Sequence, residues 1–262
     1  MIRVCDLRKQ FGSVTAVDGI SLQVPRGTVM ALLGPNGAGK TTFVRMLTTL
    51  LKPTSGQIWL DGCDALARPQ EARRAFGIVF QDSSLDGDLT VHENMTLQAS
   101  LYGVRSSVAR DRIRELLEFV DLIDLAQRPA KLLSGGMKRR LEIARSLLHA
   151  PRILFLDEPT VGLDPQSRHR IWEYVRMLVA TRGVTVMFTT HYMDEADREA
   201  QHIAVIDRGR VVARDTPAGL KQSLRATSLD EAFIELTGRN TRDARASVVD
   251  RMRDVHRVLE RR

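Results

Sequence analysis

Three short stretches hold residue types whose spacing suits phosphate chemistry. In "LLGPNGAGKTT", Gly34 is followed by Pro35, Asn36, Gly37 and Ala38, and then by Gly39, Lys40, Thr41 and Thr42. Glycines at this spacing let the backbone curl so that successive N–H groups face phosphate oxygens, a geometry that side chains would obstruct. Lys40 is then placed to reach β and γ phosphates and the Thr41 hydroxyl to bind Mg2+. In "RILFLDEP" an apolar run ends in Asp157, a carboxylate able to hold a magnesium shell, and Glu158 follows where it could polarise an attacking water. In "LLSGGM", Ser134 is a good helix N-cap followed by Gly135 and Gly136, so the N–H groups of this helix start could hold a second anion. One chain thus carries two phosphate cradles, far apart in sequence.

The elements that position these residues read as follows. Short β-like runs cover Ile2 to Leu7, Ile20 to Val24, Val29 to Leu33, Gln57 to Leu60 and Gly77 to Phe80. Thr41 to Leu51 reads as a helix after the first cradle. From Thr90 to Ala150 the pattern turns helical, with Ile113, Leu116, Leu117 and Val120 on one apolar face, an inserted helical subdomain. Strand candidates Arg152 to Leu156 and Val184 to Thr190 flank a helix-like Pro165 to Thr181, which points to a parallel sheet with helices on its faces. A hairpin-like pair, Ile203 to Asp207 and Val211 to Arg214, closes the sheet. The expected class is therefore α/β.

Composition narrows the function classes. With 262 residues, 43% of them hydrophobic, the chain can bury a full core. Its apolar runs fall far short of the roughly 18 residues that span a bilayer. The opening "MIRVCDLRKQ" lacks a secretory signal, which leads to the expectation of a cytosolic protein, and Cys5 and Cys63 lack metal-ligand spacing. The net charge of +7 is spread along the chain except in the tail from Arg239 to Arg262, where eight arginines face four acidic residues. No aromatic platform interleaved with basic residues is apparent, and no nucleic-acid partner is expected. In the tail, Ala244, Val248, Met252, Val255 and Leu259 would form one apolar stripe of a helix, either packing on its own domain or serving as a second dimer contact.

The ordered set of Gly34 to Thr42, Gln81, "LSGGM", "ILFLDEP", "VGLD" and His191 resembles the motifs of ATP-binding cassette (ABC) ATPases, over about residues 1–238, with 239–262 as a separate basic helical tail. The resemblance implies a P-loop NTPase of the ABC type: a mixed sheet core, an inserted helical subdomain at about 90–150 and an antiparallel β region. It also implies that two such chains pack head to tail, each ATP held between the P-loop of one and the Ser134-Gly135-Gly136 turn of the other. On this resemblance Phe11 would stack on adenine, Gln81 would touch Mg2+ and the attacking water, Asp164 would cross the dimer interface, and His191 would bond the γ phosphate. Taken alone, Phe11 and His191 read as core residues, Gln81 as a polar loop residue, Ser134 as a simple N-cap and Asp164-Pro165 as a helix start. Met137 stands where the family often has Gln, and Lys138, Arg139 and Arg140 read as a solvated face.

The phrasing "SLDEAFIELTGR" and "TTHYMDEAD" is similar to ATPases of the daunorubicin-resistance type, although "DREAQHIAVID" lacks the Cys-Asp pair often found there. That likeness implies an ATP- and Mg2+-dependent subunit of an exporter of drugs or of lipid- or polysaccharide-like molecules. It would sit peripherally on the cytoplasmic face of the membrane, beside a separate integral-membrane permease and a second ATPase subunit. The alternative is a soluble ABC ATPase acting on nucleic acid or ribosomes.

Overall fold

The computed structural model describes residues 1–238; the tail and its expected apolar stripe lie outside the described residues. Two sheets form the framework. Strands β1 (Ile2–Phe11), β2 (Val14–Val24), β4 (Ser55–Leu60) and β5 (Cys63–Asp64) make an antiparallel sheet in the order β2-β1-β4-β5. Strands β3 (Val29–Leu33), β6 (Phe76–Val79), β7 (Ile153–Asp157), β8 (Thr185–Thr189), β9 (His202–Asp207) and β10 (Arg210–Asp215) make the second, in the order β10-β9-β3-β8-β7-β6. Neighbouring strands in it run parallel apart from β10, which is antiparallel to β9, so the sheet is mixed, as expected.

Side-chain alternation along the parallel strands divides the core into two layers. Ala31 and Leu33, Leu154 and Leu156, Val186 and Phe188, and Ile203 and Val205 point to one face. Met30 and Leu32, Ile153 and Phe155, Met187, and Ala204 and Ile206 point to the other. The second face packs on α1 (Lys40–Leu47), through Phe43, Val44, Met46 and Leu47, and on the antiparallel sheet. The short α2 (Pro69–Ala75) adds Ala72 to that layer and leads directly into β6. The first face is covered by α6 (Pro165–Arg182) and the helical insertion. Burial on both faces is why these strands read as unbroken apolar runs rather than as alternation.

The insertion comprises α3 (Val91–Leu101), α4 (Ser106–Phe119) and α5 (Gly135–Ser146). It starts at Thr90, whose hydroxyl accepts from Glu93 N at 3.1 Å while the Glu93 carboxylate accepts from Thr90 N at 2.7 Å, a reciprocal cap. Ala109, Ile113, Leu116 and Leu117 form the buried stripe of α4, and Val120 is buried just beyond its end.

Most boundaries differ from the sequence reading by a residue or two, and three of the differences have a plain local reason. The β1–β2 hairpin is longer, closing over Gly12 and Ser13 with Phe11 opposite Val14, because its tip is solvent-exposed and carries no apolar alternation to reveal it. Helix α1 stops at Leu47 instead of Leu51. There Thr48 Oγ1 turns back to Val44 O at 2.9 Å and Thr49 adopts φ +58°, ahead of Pro53. Helix α6 ends one residue later than expected, against Gly183 at φ +63°, while α7 (Met193–Glu199) connects β8 to β9 and α8 (Pro217–Ser223) follows β10.

Phe188 is fully buried with its ring centroid 4.6 Å from that of Trp172 on α6, so it anchors the sheet to its covering helix. Phe188→Ala is expected to lower unfolding free energy by about 3–5 kcal/mol in urea denaturation; a loss under about 1 kcal/mol would contradict this packing role.

Candidate active site at the carboxyl edge of the parallel sheet

The first cradle, the two acidic residues, Gln81 and His191 come together. Asn36, Gly37, Ala38, Gly39, Lys40, Thr41, Thr42, Gln81, Asp157, Glu158 and His191 line one cavity of about 540 Å³, with Ala16 of β2 on its wall. They converge because β3, β8, β7 and β6 are parallel neighbours whose ends are level: Leu32 pairs with Thr189, Thr189 with Asp157, and Leu156 with Val79. The chain leaving each strand therefore reaches the same edge of the sheet, where open α/β sheets bind ligands.

Two glycines make the cradle possible by close approach. A Cβ on Gly34 would lie 2.3 Å from Ile206 O, and one on Gly39, at φ +103°, would lie 2.3 Å from Ala16 O. Lys40 is only 9% exposed, and its ammonium donates to Gly34 O at 2.7 Å and Pro35 O at 3.1 Å. Burial pulls its pKa below the usual lysine value, opposed by the negative charges of Glu158 and Asp157. A cation held over the loop at this position matches a polyphosphate between the loop and the carboxylates.

At the opposite wall, Thr189 fixes both acidic residues. Its Oγ1 donates to Asp157 Oδ1 at 2.5 Å and accepts from Glu158 N at 3.0 Å, while Glu158 N also reaches Thr189 O at 3.2 Å. Glu158 sits at φ +47°, a backbone conformation costly for a non-glycine residue, which is maintained by these bonds. Its Oε2 lies 3.3 Å from His191 Nδ1. The His191 ring lies against Tyr192, whose other neighbour is the guanidinium of Arg168, 4.2 Å from the ring centroid. Thus His191 is half-exposed at the cavity and is no core residue.

Ser134, Gly135, Gly136 and Asp164 are placed elsewhere. Ser134 caps α5 by accepting from Met137 N at 3.3 Å, and Asp164 caps α6 by accepting from Ser167 Oγ at 2.6 Å and Ser167 N at 2.9 Å. Those bonds hold the Asp164 carboxyl below the usual carboxylate range. The two helix starts touch: a Cβ on Gly136 would lie 2.4 Å from Ser167 Oγ. Ser134 and Gly135 are exposed, and none of these four residues lines the Lys40 cavity. Phe11, 48% exposed at its hairpin tip with Lys9 Nζ 5.0 Å from its ring centroid, and the first two cradle residues, Gly34 and Pro35, are also outside the cavity lining.

Sequence reasoning missed three residues. Ala16 carries no chemical signal in its side chain. Thr189 looked like one more β-branched strand residue, although its place at the end of an apolar strand opposite Asp157 was the available clue. Arg139 was read within a solvated face, yet it is 6% exposed, its charge drawn inward toward Glu142 and the main chain beside Gln81 and Glu158. Burial lowers its pKa, and Glu142 and Asp157 counter that. Arg140 is also largely covered, donating to Val120 O at 2.8 Å.

The donor set suits a hard cation. Thr41, Gln81 and Asp157 offer oxygen atoms around one cavity, and Mg2+ is held by few protein oxygens together with phosphates and water.

Comparison with known proteins agrees with this geometry. Residues 17–161, more than half of the chain, match the ABC transporter family model. The chain is 48% identical over 234 residues to the daunorubicin resistance ATP-binding protein DrrA2 of Streptomyces coeruleorubidus, covering 89% of this chain and 72% of that protein. It is 46% identical over 217 residues to the Nod factor export ATP-binding protein I of Ralstonia nicotianae, covering 83% and 67% respectively. Among solved structures, a dimeric post-hydrolysis state of the ATP-binding cassette MJ0796 with ADP and Pi superposes with a TM-score of 0.74 at 28% identity, over 82% of this chain and 98% of that one. Fold, cavity and relatives agree that the chain belongs to the ABC transporter family, as an ATP-binding, ATP-hydrolysing subunit.

Proposed function

We propose that the chain powers an exporter by closing, with a second copy or a related subunit, around ATP in a head-to-tail dimer. The observation that carries this reading is the division of the candidate residues on one chain. Lys40, Thr41, Gln81, Asp157, Glu158 and His191 share a cavity, while Ser134, Gly135 and Asp164 stand exposed outside it. A chain with half of its phosphate contacts facing solvent needs a partner to complete the site, and the dimeric state of the similar cassette MJ0796 supports that arrangement.

In this reading the cradle N–H groups and Lys40 bind the β and γ phosphates, Phe11 stacks on adenine, and the Ser134-Gly135-Gly136 turn of the second subunit holds the γ phosphate from the opposite side. Thr41, Gln81 and Asp157 hold Mg2+, which when bound neutralises phosphate charge during transfer. Glu158 accepts a hydrogen bond from the attacking water, and His191, held beside Glu158, bonds the γ phosphate and orients that water. Asp164 reaches across the interface. Water adds to the γ phosphorus, the bond to the ADP oxygen breaks, and release of phosphate and ADP reopens the pair.

The proposed ATPase domain is residues 1–238. No helix among the described residues is long and apolar enough to cross a membrane. A separate permease and peripheral attachment at the cytoplasmic face belong to this proposal, supported by relatives that are named as ATP-binding proteins of resistance and export. The insertion and the loop after Gln81 are the proposed contact with that permease. The roles carried in the relatives' names, daunorubicin resistance and Nod factor export, support an exporter of drugs or of lipid- or polysaccharide-like molecules. They also favour this over the soluble nucleic-acid or ribosome reading.

Glu158→Gln is expected to retain ATP binding, lower turnover by about 100-fold or more, and accumulate a dimer in Mg-ATP by size-exclusion chromatography; wild-type turnover would remove Glu158 from its role. Lys40→Ala is expected to weaken binding of a fluorescent ATP analogue by about tenfold or more, and unchanged affinity would contradict the cradle assignment.

A further inference from the structure

Helix α5 carries a buried guanidinium whose bonds lead mainly to the active-site main chain. Arg139 Nε donates to Pro159 O at 2.8 Å. Its Nη1 donates to Phe80 O and to Glu142 Oε2, the latter at 3.1 Å. Its Nη2 donates to Glu158 O at 3.0 Å and makes a longer contact of 3.5 Å with Gln81 O. The five N–H donors of a guanidinium thus meet five acceptors, four of them carbonyls of two chain segments far apart in sequence.

Those segments are the exits of β6 and β7. The strands are paired as far as Val79 and Leu156, and beyond that point their carbonyls need other partners. The first segment bears the Gln81 side chain and the second bears Glu158 at its strained φ. Thr189 holds the N–H side of Glu158, and Arg139 holds its carbonyl side. The same face of α5 grips the loop after Gln81 twice more: Glu142 accepts from Ser84 N at 2.9 Å, and Arg145 donates to Ser84 O at 2.9 Å. Arg139 does not line the cavity, so it acts on the chemistry only through the residues that do.

We infer that Arg139 is a positioning residue for ATP hydrolysis: it clips the main chains of Gln81 and Glu158 together and ties both to the helix whose first turn is Ser134-Gly135-Gly136. This rests on the roles proposed above for Gln81 and Glu158. A shift of the α5 start on meeting a partner's nucleotide is thereby passed to the hydrolytic groups of the same chain. Lysine cannot replace this device, because three donors on a point charge do not match five acceptors around a planar fork.

The test uses the full-length chain carrying Arg139→Lys, with Gln81→Ala, the double variant and Glu158→Gln alongside, and reads kcat with Mg-ATP, affinity for a fluorescent ATP analogue and Tm. Arg139→Lys is expected to lose about tenfold or more in kcat while affinity stays within about threefold. The loss in the double variant is expected to be smaller than the product of the single losses, since Arg139 acts partly through Gln81. A kcat within about twofold of wild type, multiplicative losses, or kcat and affinity falling together would overturn the inference. Should Arg139→Lys not fold, Glu142→Gln, which keeps its shape and an acceptor for Ser84 N, is expected to lower kcat alone by about threefold or more, and an unchanged kcat would overturn the inference. An active Glu158→Gln would instead overturn the site assignment itself. An inactive Glu158→Gln beside a fully active Arg139→Lys would overturn the positioning role and leave the site standing.

Discussion

The level ending of adjacent parallel strands is the constraint on which the rest of the site depends. Leu32, Thr189 and Asp157 stand in register across β3, β8 and β7, and Val79, the last residue of β6, pairs with Leu156 one residue before that level. Register in a sheet buried on both faces is strongly specified, because a slip by one residue would move every side chain into the wrong layer of the core. The two apolar layers therefore do more than stabilise the sheet. They fix the height at which the cradle, Gln81, Glu158 and His191 leave it. Thr189 turns that alignment into chemistry by bonding Asp157 through its hydroxyl and Glu158 through the same oxygen.

A second constraint lies at the meeting of α5 and α6. Ser134 and Asp164 each cap their own helix, and Gly136 lets the two starts approach within side-chain contact of Ser167. The plain reading of these residues as caps and the functional reading as an interface are compatible. A capped helix start keeps its remaining N–H groups fixed and directed outward, the condition for holding an anion. The helix behind that start is tied through Arg139 to the main chain at Gln81, Glu158 and Pro159, so the two proposed half-sites of one subunit share one element.

Much of this was legible in the sequence because local chemistry and local spacing carried it. The cradle, the Asp157-Glu158 pair, the inner strands and the α4 stripe each announce themselves within a dozen residues; the strands and the stripe are present in the fold, and Asn36 to Thr42 line one cavity with Asp157 and Glu158. The hairpin tip around Phe11 escaped because exposed strand residues have no burial pattern to display. Arg139 escaped for a different reason. In a run of three basic residues nothing distinguishes the one whose acceptors come from residues 80, 81, 158 and 159, since those carbonyls are brought to it only by the assembled sheet. The positive φ of Glu158 was invisible too, because it follows from where Thr189 stands.

The proposed assembly requires the exposed Ser134-Gly135 start of α5 in one chain to complete the Lys40 cavity of another. The most direct measurement mixes a chain carrying Asn36→Cys with one carrying Gly135→Cys, both with Cys5→Ser and Cys63→Ser, and treats them with a short bis-maleimide in the presence and absence of Mg-ATP. The predicted result is a cross-linked product joining the two different chains, promoted by Mg-ATP and not formed by either chain alone. No such product with nucleotide bound, or equal linkage without it, would contradict the head-to-tail assembly.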